Sequence, residues 1–255
     1  MQLDDKVAIV TGGGSGIGRA MATGLAGEGT SVVVADVDSD RAVAVAAELE
    51  ESGAAAIAFT VDVSQSEQVD AMIEAAVNHF GRLDILINNA GRAARGFVSE
   101  MADEAWDSVI GVNLRGTFLC SRAALRQMIP QRSGRIVNTA SGLGLRGSPG
   151  GAVYGASKAA IINLTKSLAQ EVARYGITVN AIAPGVTDTP LWRGFRSEAD
   201  IEEALKSGRV GAPEDFVPLL CFSAAKRAAY TPGSSLTARS MCKGASDDLA
   251  DRQLR

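Results

Sequence analysis

The chain has 255 residues, a hydrophobic share of 46% and 25 basic against 29 acidic side chains, giving a formal net charge of −4. That composition excludes wholesale disorder, and the acidic balance argues against nucleic acid as the main partner. Three separated cysteines without a CxxC pair and a lone histidine, His79, exclude a disulfide framework and nearly exclude a histidine-based metal site or triad. No run of 18 uninterrupted apolar residues occurs, so no membrane span is expected. The start, MQLDDKVAIVTGGG, carries acids and turns into glycines, unlike a signal peptide, and predicts a cytoplasmic protein.

The first apolar run, KVAIVT at 6–11, has the length of a strand, and similar runs follow at 31–35, 56–61, 84–87, 135–139 and 177–182. Most are rich in β-branched residues and apolar on both alternating faces, which suits strands buried in a parallel sheet. Between them the pattern predicts helices at 16–28, 39–52, 66–80, 103–130 (in one piece or two) and 152–174. Strands alternating with helices imply βαβ units, right-handed crossovers and a doubly wound α/β fold. No linker or composition break divides the chain, so residues 1–243 are read as one domain and the charged end, 244–255, as a mobile tail. In such sheets ligands bind at the carboxyl ends of the strands, so function is sought there.

The first strand runs into Thr11-Gly12-Gly13-Gly14-Ser15-Gly16-Ile17-Gly18 and then into a helix. Glycines let backbone N–H groups approach an anion, and the helix N-terminus adds the positive end of its dipole. A pyrophosphate is the natural guest of this strand–loop–helix unit. Asp36 ends the second strand, where an acid accepts both ribose hydroxyls of an adenosine and repels a 2′-phosphate. NAD is therefore favoured over NADP. More polar groups follow later strands on the same edge: Asp62-Val63, Asn88-Asn89-Ala90-Gly91 and Pro184-Gly185-Val186-Thr187-Asp188-Thr189.

Tyr154 and Lys158 stand four apart at the start of the helix predicted at 152–174, so both project from one face. A free phenol has a pKa of about 10, and a neighbouring ammonium stabilises the phenolate. Ser141, just after the fifth strand, offers a hydroxyl to a substrate oxygen that is becoming a carbonyl. YxxxK alone occurs in many helices; its companions give it weight.

Taken together, TGGGSGIG at 11–18, Asp36, Asp62-Val63, NNAG at 88–91, Asn113 in VNLRG, Ser141, YGASK at 154–158, PGVTDT at 184–189 and RVGAPEDF at 209–216 resemble the single-domain short-chain dehydrogenase/reductase family. The resemblance covers about residues 3–233. It implies a Rossmann-type sheet with helices on both faces, and hydride transfer between NAD(H) and a secondary alcohol or ketone. It further implies that Tyr154 is the general acid/base, that Lys158 lowers its pKa and grips the nicotinamide ribose, and that Ser141 orients the substrate oxygen. Asn113 would hold a water linking Lys158 to solvent. Gly12, Ser15, Gly16, Ile17 and Gly18 would line the pyrophosphate, Asp62 and Val63 the adenine, Asn89 and Gly91 the adenosine ribose side. Gly185, Thr187 and Thr189 would flank the nicotinamide carboxamide. A homodimer or homotetramer is implied, paired through the helices expected at 116–130 and 152–174.

Beyond residue 230 the sequence departs from the family pattern: YTPGSSLTARSM carries Pro232 and Arg239 where an apolar last strand is expected, which puts that strand and a tetramer interface in doubt. Leu143, Leu191, Trp192 and Phe195 are candidates for an apolar wall and lid. Arg92, Arg95 and Arg146 read first as solvated loop residues, with a carboxylate or phosphate contact as the alternative. Trp106 reads as packing, His79 as a surface helix end and Cys120 as core. The competing functions are a non-catalytic NAD-binding module, against which the retained Ser141, Tyr154, Lys158 and Asn113 weigh, and an NADP-linked 3-oxoacyl reductase, which Asp36 disfavours.

Overall fold

The structure, a computed structural model, describes residues 3–225 and 235–238. The predicted tail at 244–255 lies outside the described residues. The strands are β1 (Val7–Thr11), β2 (Ser31–Asp36), β3 (Ala56–Thr60), β4 (Ile85–Asn88), β5 (Gly134–Thr139), β6 (Ile177–Pro184) and β7 (Ser235–Ala238). They form one parallel sheet in the order β3-β2-β1-β4-β5-β6-β7. The winding reverses between β1 and β4, which opens a crevice at their carboxyl ends.

Six helices fall where the apolar periodicity puts them: α1 (Gly16–Gly27), α2 (Ser39–Glu51), α3 (Ser66–Phe80), α4 and α5 (Asp103–Ile110 and Gly116–Gln131, the two pieces of the 103–130 pattern) and α6 (Ala152–Val172). Alternate residues of each strand bury on opposite faces. Ala8, Val10, Val32, Val34, Ile85 and Ile87 pack with α1 and α2, whereas Ile9, Val33, Leu86, Ile136 and Val179 pack with α3, α5 and α6. Helices therefore cover both faces, as a sheet of fully apolar strands requires. A wide π-helical turn, Gly111–Arg115, joins α4 to α5 and carries Asn113; such turns concentrate at functional sites.

Two expectations are corrected. The doubted last strand does form: β7 pairs in register with β6, Ala181 opposite Ser235 through Pro184 opposite Ala238. Ladder hydrogen bonds join backbone groups, so a polar sequence still satisfies the edge of β6. Trp106 is not packed away but stands 46% exposed on α4, as does Phe118 (43%) on α5. Cys120 is buried, and His79 sits in the last turn of α3 with its ring edge-on to Phe80. Among the described residues, no helix is long and apolar enough to cross a membrane.

Three short helices lie beyond the predicted pattern: α7 (Pro190–Arg193), α8 (Glu198–Lys206) and α9 (Val217–Ala224). Signals for the first two were present. Thr189 accepts a hydrogen bond from the N–H of Trp192 and is followed by Pro190 at the first helical position, while Ser197 and Asp200 close a reciprocal capping box.

Candidate active site

A cleft of about 780 Å³ opens along the carboxyl edge of the sheet. Its walls come from the loops after β1, β2, β3, β4, β5 and β6 and from the start of α6. Of the residues singled out in the sequence, Gly12, Ser15, Gly16, Ile17, Asp36, Asp62, Val63, Asn89, Gly91, Ser141, Tyr154, Lys158, Gly185, Thr187 and Thr189 all line it. Gly18 and Asn113 stand just behind the wall.

The glycine loop is built for close approach. Gly12 has φ +63°, a conformation that only glycine adopts at little cost. A Cβ on Gly18 would lie 2.0 Å from the Gly12 carbonyl oxygen. Asn89 clamps the same turn, donating from Nδ2 to the carbonyls of Thr11 (3.1 Å) and Gly12 (3.2 Å). Ser15, at the N-cap of α1, makes no side-chain capping bond, so the first N–H groups of the helix face the cleft without a side-chain acceptor. This is the donor set that a pyrophosphate requires. The residues present thus fit a dinucleotide.

Asp36 is fixed at the end of β2: Oδ2 accepts from the Gly14 N–H (2.9 Å) and Oδ1 from the Asp38 N–H (3.1 Å). The basic side chains nearby are already paired, Arg41 with Asp38 at 3.0 Å and Arg19 with Glu48 at 2.8 Å. Asp62 is held by Ser64, whose N–H and hydroxyl both donate to Oδ1.

At the other end, Ser141, Tyr154 and Lys158 converge. The Lys158 ammonium is buried, donates to the Thr139 carbonyl at 2.6 Å and lies 5.6 Å from the centre of the Tyr154 ring. Burial lowers its pKa from 10.5 to about 8. The same dry surroundings push the Tyr154 phenol above its ordinary value, and a hydrogen bond with Ser141 pulls it partly back. Ser141 Oγ also accepts the Leu143 N–H (3.1 Å), which holds its hydroxyl in place beside the phenol. The turn 142–144 presses on α6 tightly enough that a Cβ on Gly144 would lie 2.7 Å from the Lys158 carbonyl carbon.

Asn113 ties these parts together. Its Oδ1 accepts the Arg92 N–H (2.7 Å), and Nδ2 donates to the Arg92 carbonyl and to Ser157 Oγ, both at 3.0 Å. Ser157 in turn donates to the Tyr154 carbonyl (2.7 Å). A Cβ on Gly91 would lie 3.4 Å from Asn113 Oδ1 and 3.8 Å from Lys158 Nζ, so both side chains flank that glycine.

Beneath the site runs a buried polar network that the sequence did not announce. Asn88 donates to Ser121 (3.0 Å) and to Asn138 Oδ1 (2.8 Å), and Asn138 donates to Thr165 (2.9 Å). It bolts β4 and β5 to α5 and α6. A second is Asp84, buried at the start of β4, which accepts the Val7 N–H and two bonds from Arg82.

A parallel sheet wound in this order, a glycine loop at its switch point and a tyrosine–lysine pair on α6 define a nucleotide-binding oxidoreductase scaffold. The chain belongs to the short-chain dehydrogenase family, whose model matches residues 6–200; members bind a nicotinamide cofactor and transfer hydride. It is 40% identical over 235 residues to a 3-oxoacyl-[acyl-carrier-protein] reductase of Synechocystis, covering 91% of this chain and 95% of that protein. It is 36% identical over 239 residues to the (2S)-[(R)-hydroxy(phenyl)methyl]succinyl-CoA dehydrogenase subunit BbsD of Thauera aromatica, covering 92% and 96%. Among solved structures, NAD+-bound xylitol dehydrogenase superposes with a TM-score of 0.88 at 32% identity, covering 94% of this chain and all of that one. Levodione reductase does so at 0.88 and 34%, covering 93% and 97%.

Proposed function

We propose that the protein is an NAD-dependent oxidoreductase that interconverts a secondary alcohol and a ketone, with Ser141, Tyr154, Lys158 and Asn113 as its working residues. The observation that carries this reading is the meeting of a desolvated phenol, a buried ammonium and a serine hydroxyl at one end of the dinucleotide-shaped cleft. Gly12, Ser15, Gly16 and Ile17 would hold the pyrophosphate, and Asp36 the adenosine ribose. NAD is favoured because Asp36 meets a 2′-phosphate with like charge while Arg19 and Arg41 are committed elsewhere.

Bound NAD supplies the hydride acceptor in the oxidation direction. Tyr154, as phenolate, takes the proton of the substrate hydroxyl, and Ser141 donates to the same oxygen and fixes its position. The Lys158 ammonium stabilises the phenolate. Asn113 holds the first turn of α6 through Ser157, and together with Lys158 it flanks Gly91, where a water would pass the proton on. In the reduction direction Tyr154 returns its proton to the carbonyl oxygen. The exposed aromatics Trp106 and Phe118 on α4 and α5 support a homodimer or homotetramer in which α5 and α6 pair with a second copy.

The test is an absorbance screen at the NADH band over secondary alcohols, sugars, steroids and acyl ketones, with Tyr154→Phe as control. We expect a substrate that the wild type turns over and the variant does not. Activity that survives the substitution overturns the mechanism.

A further inference from the structure

The two ends of the cleft carry opposite charge. Asp36 and Asp62 lie at the adenosine end, whereas the walls near Tyr154 hold Arg92, Arg95, Arg146 and Arg196 and no acid. Arginines elsewhere along the rim are neutralised: Arg19 by Glu48, Arg41 by Asp38 and Arg193 by Asp188 at 2.6 Å. Arg92, Arg95 and Arg146 form no ion pair among the described residues. Three loops bring this group together. The Gly96 N–H donates to the Gly150 carbonyl (3.1 Å), joining the segment after β4 to the segment before α6. Arg95 then lies over the Phe195 ring, 5.7 Å from its centre, reaching the segment after α7.

Arg196 is the most exacting member. It is half-buried, stacks 4.4 Å over the Trp192 ring and donates from Nη1 to the Trp192 carbonyl (2.6 Å). Burial and the nearby Arg95 both push its pKa down, with Asp200 opposing. Asp200 is itself engaged with Ser197 in the cap of α8. Two cations that repel each other, one partly desolvated, cost free energy unless an anion sits between them. The indole N–H of Trp192, under the Arg196 guanidinium, is buried and without a partner among the described residues. The neighbouring wall is apolar, with Leu191, Phe195 and Val186 about 40% exposed (41%, 39% and 44%).

We propose that the substrate carries an oxyanion, joined through an apolar segment to the reacting alcohol or ketone, and that Arg95 and Arg196 hold it. The guanidinium fork suits a carboxylate or a phosphate equally. The identity of the reacting carbon rests on the hydride-transfer reading above; the anion subsite does not.

Calorimetric titration of the full-length protein with phenylacetate, phenylacetamide and phenyl phosphate separates the two. An acid should bind about tenfold tighter than the amide, the advantage should shrink with added salt, and it should vanish in R95Q/R196Q. The tighter of the two acids identifies a free carboxylate or a phosphate-bearing carrier as the source. Arg95→Gln alone, at an exposed position, keeps the test open if loss of Arg196 unfolds the segment after α7. Equal affinity for acid and amide overturns the subsite, as does an advantage that survives both substitutions, which would place the anion on the glycine loop. In parallel, NAD(H)-linked turnover of 3-hydroxy acids is compared with that of their methyl esters. Turnover without an acid preference leaves the oxidoreductase reading standing and removes the subsite. Anion binding without turnover of any acid or ester does the reverse.

Discussion

Lys158 on α6 donates from Nζ to the main-chain carbonyl of Thr139 at the end of β5, across 2.6 Å. The bond satisfies one of three ammonium protons inside a buried pocket, and burial lowers the group's pKa to about 8. The folded pKa thus lies below the unfolded value of 10.5, so the folded state disfavours the charged form. The cost is fully present below about pH 8 and is relieved as pH rises toward 10.5. Wild type should therefore gain stability relative to Lys158→Met across that window, by an amount on the order of a few kcal/mol. Urea denaturation of both proteins, taken at points from neutral pH upward, checks it. A constant difference would mean that Lys158 is solvated in solution.

Tyr154 is raised by burial and pulled back by Ser141. Tyr154→Phe keeps the ring and removes the hydroxyl proposed to transfer the proton, so turnover should fall about 100-fold or more while NADH affinity barely changes. Ser141→Ala removes the group that favours the phenolate. The alkaline rise of alcohol oxidation should then move to higher pH, a shift that a purely positional serine would not produce. Rate–pH profiles of wild type and Ser141→Ala decide between the two roles.

Cofactor choice follows from charge. Asp36 repels a 2′-phosphate, and NAD should support kcat/KM at least about tenfold above NADP. Asp36→Asn keeps an oxygen to accept the Gly14 N–H, a bond of 2.9 Å in the wild type, and deletes only the charge. The preference should move toward parity in steady-state assays with both cofactors. A variant as selective as the wild type would shift the burden to the shape of the loop.

Much of this was legible in the sequence because local signals and the global fold agree. The runs at 6–11 and 31–35 are apolar on both faces, and β1 and β2 bury both faces. Gly12, Gly16 and Gly18 mark a loop whose geometry leaves no room for side chains. What stayed hidden depends on juxtaposition. Asn88 and Asn138 are 50 residues apart and look like polar strand ends, yet both turn into the core and bond each other. Arg95 and Arg196 resemble ordinary loop arginines until the fold sets them on one wall without an acid. Trp106 has the periodicity of a core residue, and only the absence of a covering element in the described residues leaves it exposed.

That hidden network should be costly to break. Asn138→Ala removes one of the two acceptors of Asn88 Nδ2 and the donor to Thr165 in a fully buried place. Leaving such groups unpaired costs about 1–3 kcal/mol. The urea midpoint should fall with the slope unchanged. An unmoved midpoint would show that water replaces the lost partner.

The last prediction isolates close approach from flexibility at the glycine loop. A Cβ at Gly18 would sit 2.0 Å from the Gly12 carbonyl oxygen and 2.5 Å from Asn89 Nδ2, both fixed parts of the turn. Alanine there must push the loop off α1 and break the Asn89 clamp, at about 1–3 kcal/mol or more. At the other end of α1, a Cβ on Gly27 meets nothing within 4 Å. Both substitutions raise helix propensity alike, so only the contact differs between them. NADH affinity should fall at least about tenfold in Gly18→Ala and hold at the wild-type value in Gly27→Ala, as fluorescence titration would show. Equal binding by the two variants would mean that the loop yields where the structure gives it no room, and that the cradle for the pyrophosphate is not built on this contact.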